Sequence, residues 1–235
     1  MPSHTPAAQL ADKYSKRMPG DLGPQYARLF QHVAWLHANW ATFRYLFVSG
    51  EDRVGLLNDT ASFFFKLVSH ALRREIILGI CRLTDPATSG RQSNQENLSL
   101  EQVVLEARKA SDSKLADRLT AILERLRELV IPMRKLRHKI LAHSDLPTVL
   151  GRLPEPLQGV RPIDIQQALK AVATFMDAVQ GYYCNSGPNV TWEPVAGGGA
   201  DHLVIALEKA RQAWTDEEAQ ARRQAGIEPG DDRET

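Results

Sequence analysis

The run "MRKLRHKILAHSD", Met133 to Asp145, places a guanidinium, Arg137, six residues ahead of an imidazole, His143, beside apolar Leu136 and Ile140. Arginine is a permanent cation that grips phosphate through paired N–H donors, and histidine moves protons near neutral pH. Together they have the means to cleave RNA without a metal. One group stabilises charge on the phosphoryl oxygens, and the other moves the 2′-hydroxyl or leaving-group proton. On an α-helix, the stripe through Leu129, Met133, Leu136 and Ile140 has Arg137 and His143 on its two flanks. Each lies roughly 60° from the stripe's centre, and the two are about 9 Å apart along the axis. Arginine's long stem lets both heads point toward whatever the stripe packs against. If that is a second copy of the same helix, a two-fold axis joins two such pairs in one cleft. A plainer role also fits: Arg134, Lys135, Arg137, His138, Lys139 and His143 make a basic helix C-terminus, which the helix dipole favours.

The elements that must position these residues are helical. Tyr26, Leu29, Phe30, Val33, Leu36, Trp40, Phe43 and Phe47 recur at three- and four-residue steps and predict a helix to about Val48. A second helix is expected from about Val54 to Leu83, with Leu57, Phe64, Leu67, Val68, Ala71, Ile76, Ile77, Ile80 and Cys81 along it. "TDPATSGRQSNQEN" is a loop by its turn residues. Ser99, with Gln102 three residues on, fits a capping box that opens the next helix. A long helix is expected from about Lys114 to His143, with an apolar stripe from Leu115 to Ile140, and Pro132 is expected to kink or break it near Val130, because proline removes a backbone donor. Two more helices follow, one from Ile165 to about Tyr183 and one from about Ala200 to Ala225 with Leu203, Leu207 and Trp214 along it. No segment alternates as a strand does. The expected fold is all-α, a bundle of about five to six helices: 1–20 a loose polar segment, 21–225 the helical domain with its C-terminal extension, 226–235 a frayed tail.

Two smaller features have a bland and a functional reading. Arg82, Thr84 and Asp85 end a helix at a proline loop, where they either contact substrate at a cleft mouth or make ordinary local contacts. In the second reading Asp85 builds a turn with Pro86 and Gly90, and Arg82 pairs with an acidic neighbour. Phe63, Phe64 and Phe65, with Trp35 and Trp40, stack bases or fill the core; helical spacing favours the core.

Composition narrows the classes. The 235 residues carry a formal charge of +1, so any nucleic-acid contact must come from a local patch. The two cysteines, Cys81 and Cys184, lie in apolar helical surroundings and read as buried free thiols. No C-x-x-C, H-E-x-x-H, E-x-x-H, G-x-S-x-G or P-loop pattern is present, so no metal and no cofactor is signalled; "AGGGA" at 196–200 lacks a P-loop's Lys-Ser/Thr. The N-terminal stretch has no apolar core of a leader, and no run is long enough to span a bilayer. A cytoplasmic protein without membrane contact is expected.

Arg137-His-Lys-Ile-Leu-Ala-His143 resembles the R-polar-x(4–6)-H signature of the HEPN superfamily, small all-α domains that include many metal-independent endoribonucleases acting as dimers. "LLNDTASFFF" (56–65), "CRLTDPATSGRQSNQENLSL" (81–100), "RHKILAHSDL" (137–146) and "DHLVIAL" (201–207) are similar, in that order, to the AbiU-like, abortive-infection branch. The likeness covers about residues 25–210. It implies Arg137 as the phosphate-facing cation and His143 as the catalytic proton-transfer residue. His138 would hold the polar position, often Asn in the family. Lys139 would add phosphate attraction, and Asp145 would orient His143 or end the helix. The implied partners are RNA, a second copy of the chain, and an antitoxin or other protein in a phage-defence or toxin system. Some HEPN domains bind nucleotides or proteins without cutting. A non-catalytic helical dimer module is therefore the alternative, and near-neutral charge suits it.

Overall fold

The computed structural model describes residues 7–89, 95–141, 159–185 and 199–224. Among them are eight α-helices: α1 (Ala7–Ser15), α2 (Leu22–Phe47), α3 (Glu51–Leu83), α4 (Leu100–Lys109), α5 (Ser113–Leu129), α6 (Ile131–Leu136), α7 (Pro162–Cys184) and α8 (Ala200–Gln224). A π-helical turn, Arg137–Leu141, continues α6. The fold is all-α, with a few more helices than the periodicity suggests. The proline loop after α3 closes into a short antiparallel ribbon, β1 (Thr88–Ser89) with β2 (Gln95–Glu96), paired Thr88 to Glu96 and Ser89 to Gln95.

The core is built from one stripe of each helix. Leu29, Val33, Leu36, Trp40 and Phe43 of α2 meet Ile76, Ile77 and Ile80 of α3, Leu115, Leu119 and Leu126 of α5, and Leu169, Val172 and Phe175 of α7. Tyr26 is fully buried and donates its hydroxyl proton to the Met176 carbonyl at 3.1 Å, tying α2 to α7. The segment read as loose contains α1, because its few apolar residues have partners. Tyr14 and Met18 are 3% exposed, and the Tyr14 ring meets Tyr26 edge-on at 4.8 Å. Gly23 permits the approach, since a Cβ there would lie 2.7 Å from the Ser15 backbone. Residues 226–235, read as a frayed tail, lie outside the described residues.

Helix α3 departs most from its expected pattern. It bends at Ala61 (φ −160°, ψ 66°), and its first half joins a second small core of Leu46, Leu56, Leu57, Phe65 and Val204. Beyond the bend Phe63, Phe64 and Leu67 are 74%, 57% and 53% exposed, and Ala71 is exposed too. Three consecutive residues span about 200° of a helix, so only one of the three phenylalanines reaches the core. Trp35 is likewise on the surface, whereas Trp40 is buried as expected. Helix α8 packs on α2 and α3 through Val204, with Leu207 partly buried, while Leu203 and Trp214 face outward. Cys81 is buried, and Cys184 is only half-buried.

Two helix starts differ from sequence expectation. Ser99 stands at the N-cap of α4 in extended conformation, but its buried hydroxyl makes no capping bond. Glu101 does the tethering instead, accepting from the Ala87 N–H at 2.7 Å and from Arg127 at 2.8 Å. Partial burial opposes ionisation of Glu101, but those hydrogen bonds outweigh it and hold the carboxyl below its ordinary range. Pro132 acts as expected: α5 stops at Leu129, and α6 restarts at Ile131 with the proline in its first turn, where its missing N–H costs nothing.

Candidate functional site

Arg134 and Arg137 project from α6 and its π turn toward the C-terminal end of α3, and both reach Asp85. Arg137 donates through Nη1 to both carboxylate oxygens, at 3.0 and 2.9 Å. Arg134 donates through Nη1 to Asp85 Oδ1 at 3.0 Å, and through Nη2 to the Thr84 carbonyl at 2.5 Å and the Thr84 hydroxyl at 2.8 Å. Thr84 is fully buried; its hydroxyl donates back to the Cys81 carbonyl at 3.0 Å, fixing the rotamer that Arg134 reads. The three charged side chains are only 20–27% exposed. Two guanidiniums against one carboxylate leave one net positive charge at the end of α3, while Nη2 and Nε of Arg137 make no bond to Asp85. Such a held cation is suited to an anionic ligand, since its donors are oriented before the ligand arrives.

The local chain explains the placement. Pro132 restarts the helix, Met133 is fully buried and anchors α6, and the chain then widens into the π turn. Turns closed by i→i+5 bonds are rare and concentrate at functional sites. They also hold more residues than an α-turn, so angles reckoned at 100° per residue do not carry past Arg137. His138 is exposed, and Lys139 is partly exposed. His143 and Asp145 lie outside the described residues, as does the meeting of Arg137 with His143. Cys81 sits near the cluster, but burial pushes its thiol up against the opposing pull of Arg137 and Arg134, which argues against a nucleophile.

Residues 81–85 combine the readings left open by the sequence. Arg82 does pair with an acidic neighbour, Glu75, at 3.5 Å on the surface. Asp85 does more than shape a turn, because it is the counter-ion of both arginines. Sequence reasoning missed Arg134 as a companion cation; the signal available was a second arginine three residues before Arg137, on the same side of a helix.

The AbiU2 family of HEPN domains matches residues 20–203. The chain belongs to that family. The match takes in both halves of the clamp, the end of α3 and the α6–π turn, together with most of the helical domain. Among curated proteins and solved structures, none matches the chain. No described helix of this AbiU2 domain is long and apolar enough to cross a membrane.

Proposed function

We propose that this AbiU2 domain is a metal-independent endoribonuclease that works as a homodimer in phage defence or a toxin–antitoxin system. The observation that supports this reading is the Asp85 clamp, which holds the Arg137 guanidinium in place beside a companion cation, Arg134. Arg137 holds the scissile phosphate. His143 takes the 2′-hydroxyl proton, the 2′-oxygen attacks phosphorus, and the bond to the 5′-oxygen breaks as that oxygen takes a proton from water. The products are a 2′,3′-cyclic phosphate and a 5′-hydroxyl. His138 and Lys139 assist by holding the strand, and Asp145 orients His143.

The test is incubation of the purified protein with total RNA or tRNA in EDTA, beside His143→Ala. Fragments that disappear in the variant support the proposal; fragments that persist undiminished overturn the assignment of His143. A second reading, a non-catalytic dimer module that binds a nucleotide or a protein, draws on the same clamp, because Asp85 already occupies part of Arg137's donor set. Induced expression separates the two. Toxicity of the wild type that Arg137→Ala abolishes favours the nuclease, and indifference to both proteins favours the module.

A further inference from the structure

Beside the clamp, α2 and α3 part to leave a cleft of about 250 Å³. One wall carries His32, Trp35 and Asn39, at helical steps of three and four; the other carries Glu75, Gly79 and Arg82. Gly79 keeps the walls close, since a Cβ there would lie 2.8 Å from Leu36 Cδ1. Two side chains of the cleft bring chemistry suited to a ligand. Trp35 lines it and is 64% exposed. Asn39 is only 8% exposed and lines the same cleft. Facing the cleft, its carboxamide can be reached by a ligand there.

A ligand that engages both would offer a donor beside an acceptor to Asn39 and a flat face to Trp35. A nucleobase has both: polar edges that pair with a carboxamide, and a π-face that stacks on indole. The cleft is below the ~300 Å³ at which drug-sized ligand sites begin, so it suits one base rather than a longer stretch of strand. The Arg82–Glu75 pair at the rim is exposed, with Arg82 free to turn toward phosphate and Glu75 toward ribose hydroxyls. Arg82 lies one helical turn before Asp85, so the cleft shares the C-terminal end of α3 with the clamp that holds Arg137.

We propose that this cleft is a nucleobase subsite, with Trp35 stacking on an unpaired base and Asn39 pairing with its edge. That the base belongs to an RNA strand rests on the ribonuclease reading; the subsite itself does not. The experiment titrates AMP, GMP, CMP and UMP calorimetrically into the full-length wild type, Trp35→Ala and Asn39→Ala, with melting temperatures as the folding control. Trp35 is exposed and Asn39 lines an open cleft, so both variants should fold. The expected result is saturable binding of at least one nucleotide, weakened about tenfold or more in each variant. Absence of binding for all four, or binding that both variants leave unchanged, overturns the proposal. A parallel loss of affinity for a single-stranded RNA pentamer assigns the base to RNA, and a loss confined to mononucleotides assigns the subsite to a free nucleotide; both keep the nucleobase. If the ribonuclease reading alone is wrong, wild type leaves RNA intact in EDTA while these titrations still separate the variants.

Discussion

Two guanidiniums converge on the Asp85 carboxylate, and that geometry sets what a substitution there does. Asparagine builds a turn before proline as well as aspartate does, so a turn-only role predicts a silent Asp85→Asn. As a counter-ion, Asp85 is not replaceable in this way: Arg134 and Arg137 would face each other with no charge between them. We expect Asp85→Asn to cost about 2 kcal/mol of stability in urea unfolding and to lower RNA cleavage about tenfold or more. An unchanged midpoint and rate would return Asp85 to the turn. A second residue gives a pH signature. Burial lowers the His37 imidazole from its ordinary value to about 4, so the folded protein keeps it neutral where the unfolded chain takes a proton. Stability from this group is complete above about pH 7 and drains away as pH falls through 6.5 toward 4. Between pH 7 and pH 5 the loss is about 2 kcal/mol, and His37→Gln should flatten that slope. Of these residues, Arg137 was legible by type alone. Asp85's role was not, because a bond across 52 residues leaves no mark in local spacing.

At the scale of elements, the device that aims the arginines is the break at Pro132 followed by the π turn. Without proline, the ring's clash with the Glu128 carbonyl is gone, and Val130, now in the bridge region (φ −90°, ψ 0°), needs only a change of ψ to join the two helices. Pro132→Ala should therefore let α5 run into α6 and turn Arg134 and Arg137 away from Asp85. Stability is expected to stay within about 1 kcal/mol, while amides 130–134 gain protection in hydrogen exchange and cleavage falls. A variant with wild-type cleavage and the added protection would show that the break does not position the site. The break was legible because proline acts through its own backbone. The core stripes of α2, α5 and α7 were legible because 3.6-residue periodicity reports one buried face. The bend at Ala61 was not, as it falls at no glycine or proline, and with it went the burial of Phe64, Leu67 and Ala71. The Ser99 capping box failed for a related reason: the pattern matched, but Glu101 on the same turn reached the Ala87 amide and Arg127 instead.

For the molecule as a whole, charge limits how RNA can be held. With 29 basic and 28 acidic side chains, no long-range field gathers polyanions, and attraction must come from a few placed cations. The clamp contributes one net positive charge per chain, and a two-fold pair of chains would contribute two. Each phosphate neutralised on a single strand adds about −0.7 to the slope of log affinity against log salt concentration. Two to four contacts, counting Arg137 and Lys139 from each copy, predict a slope between about −1.5 and −3. That is shallow beside proteins that track the backbone along a basic groove. Binding of a single-stranded RNA to a cleavage-deficient His143→Ala protein, measured from 50 to 300 mM salt, checks the value. Arg137→Ala should then flatten the slope by about 1.4, the share of two lost contacts in a dimer, and by half that in a monomer. A slope of −6 or steeper would place RNA on a broad basic surface that the charge balance does not supply, and Arg137 would cease to be the main phosphate contact. The same titration reads symmetry: a site made by two chains loses two phosphates to one substitution, and a site made by one chain loses one.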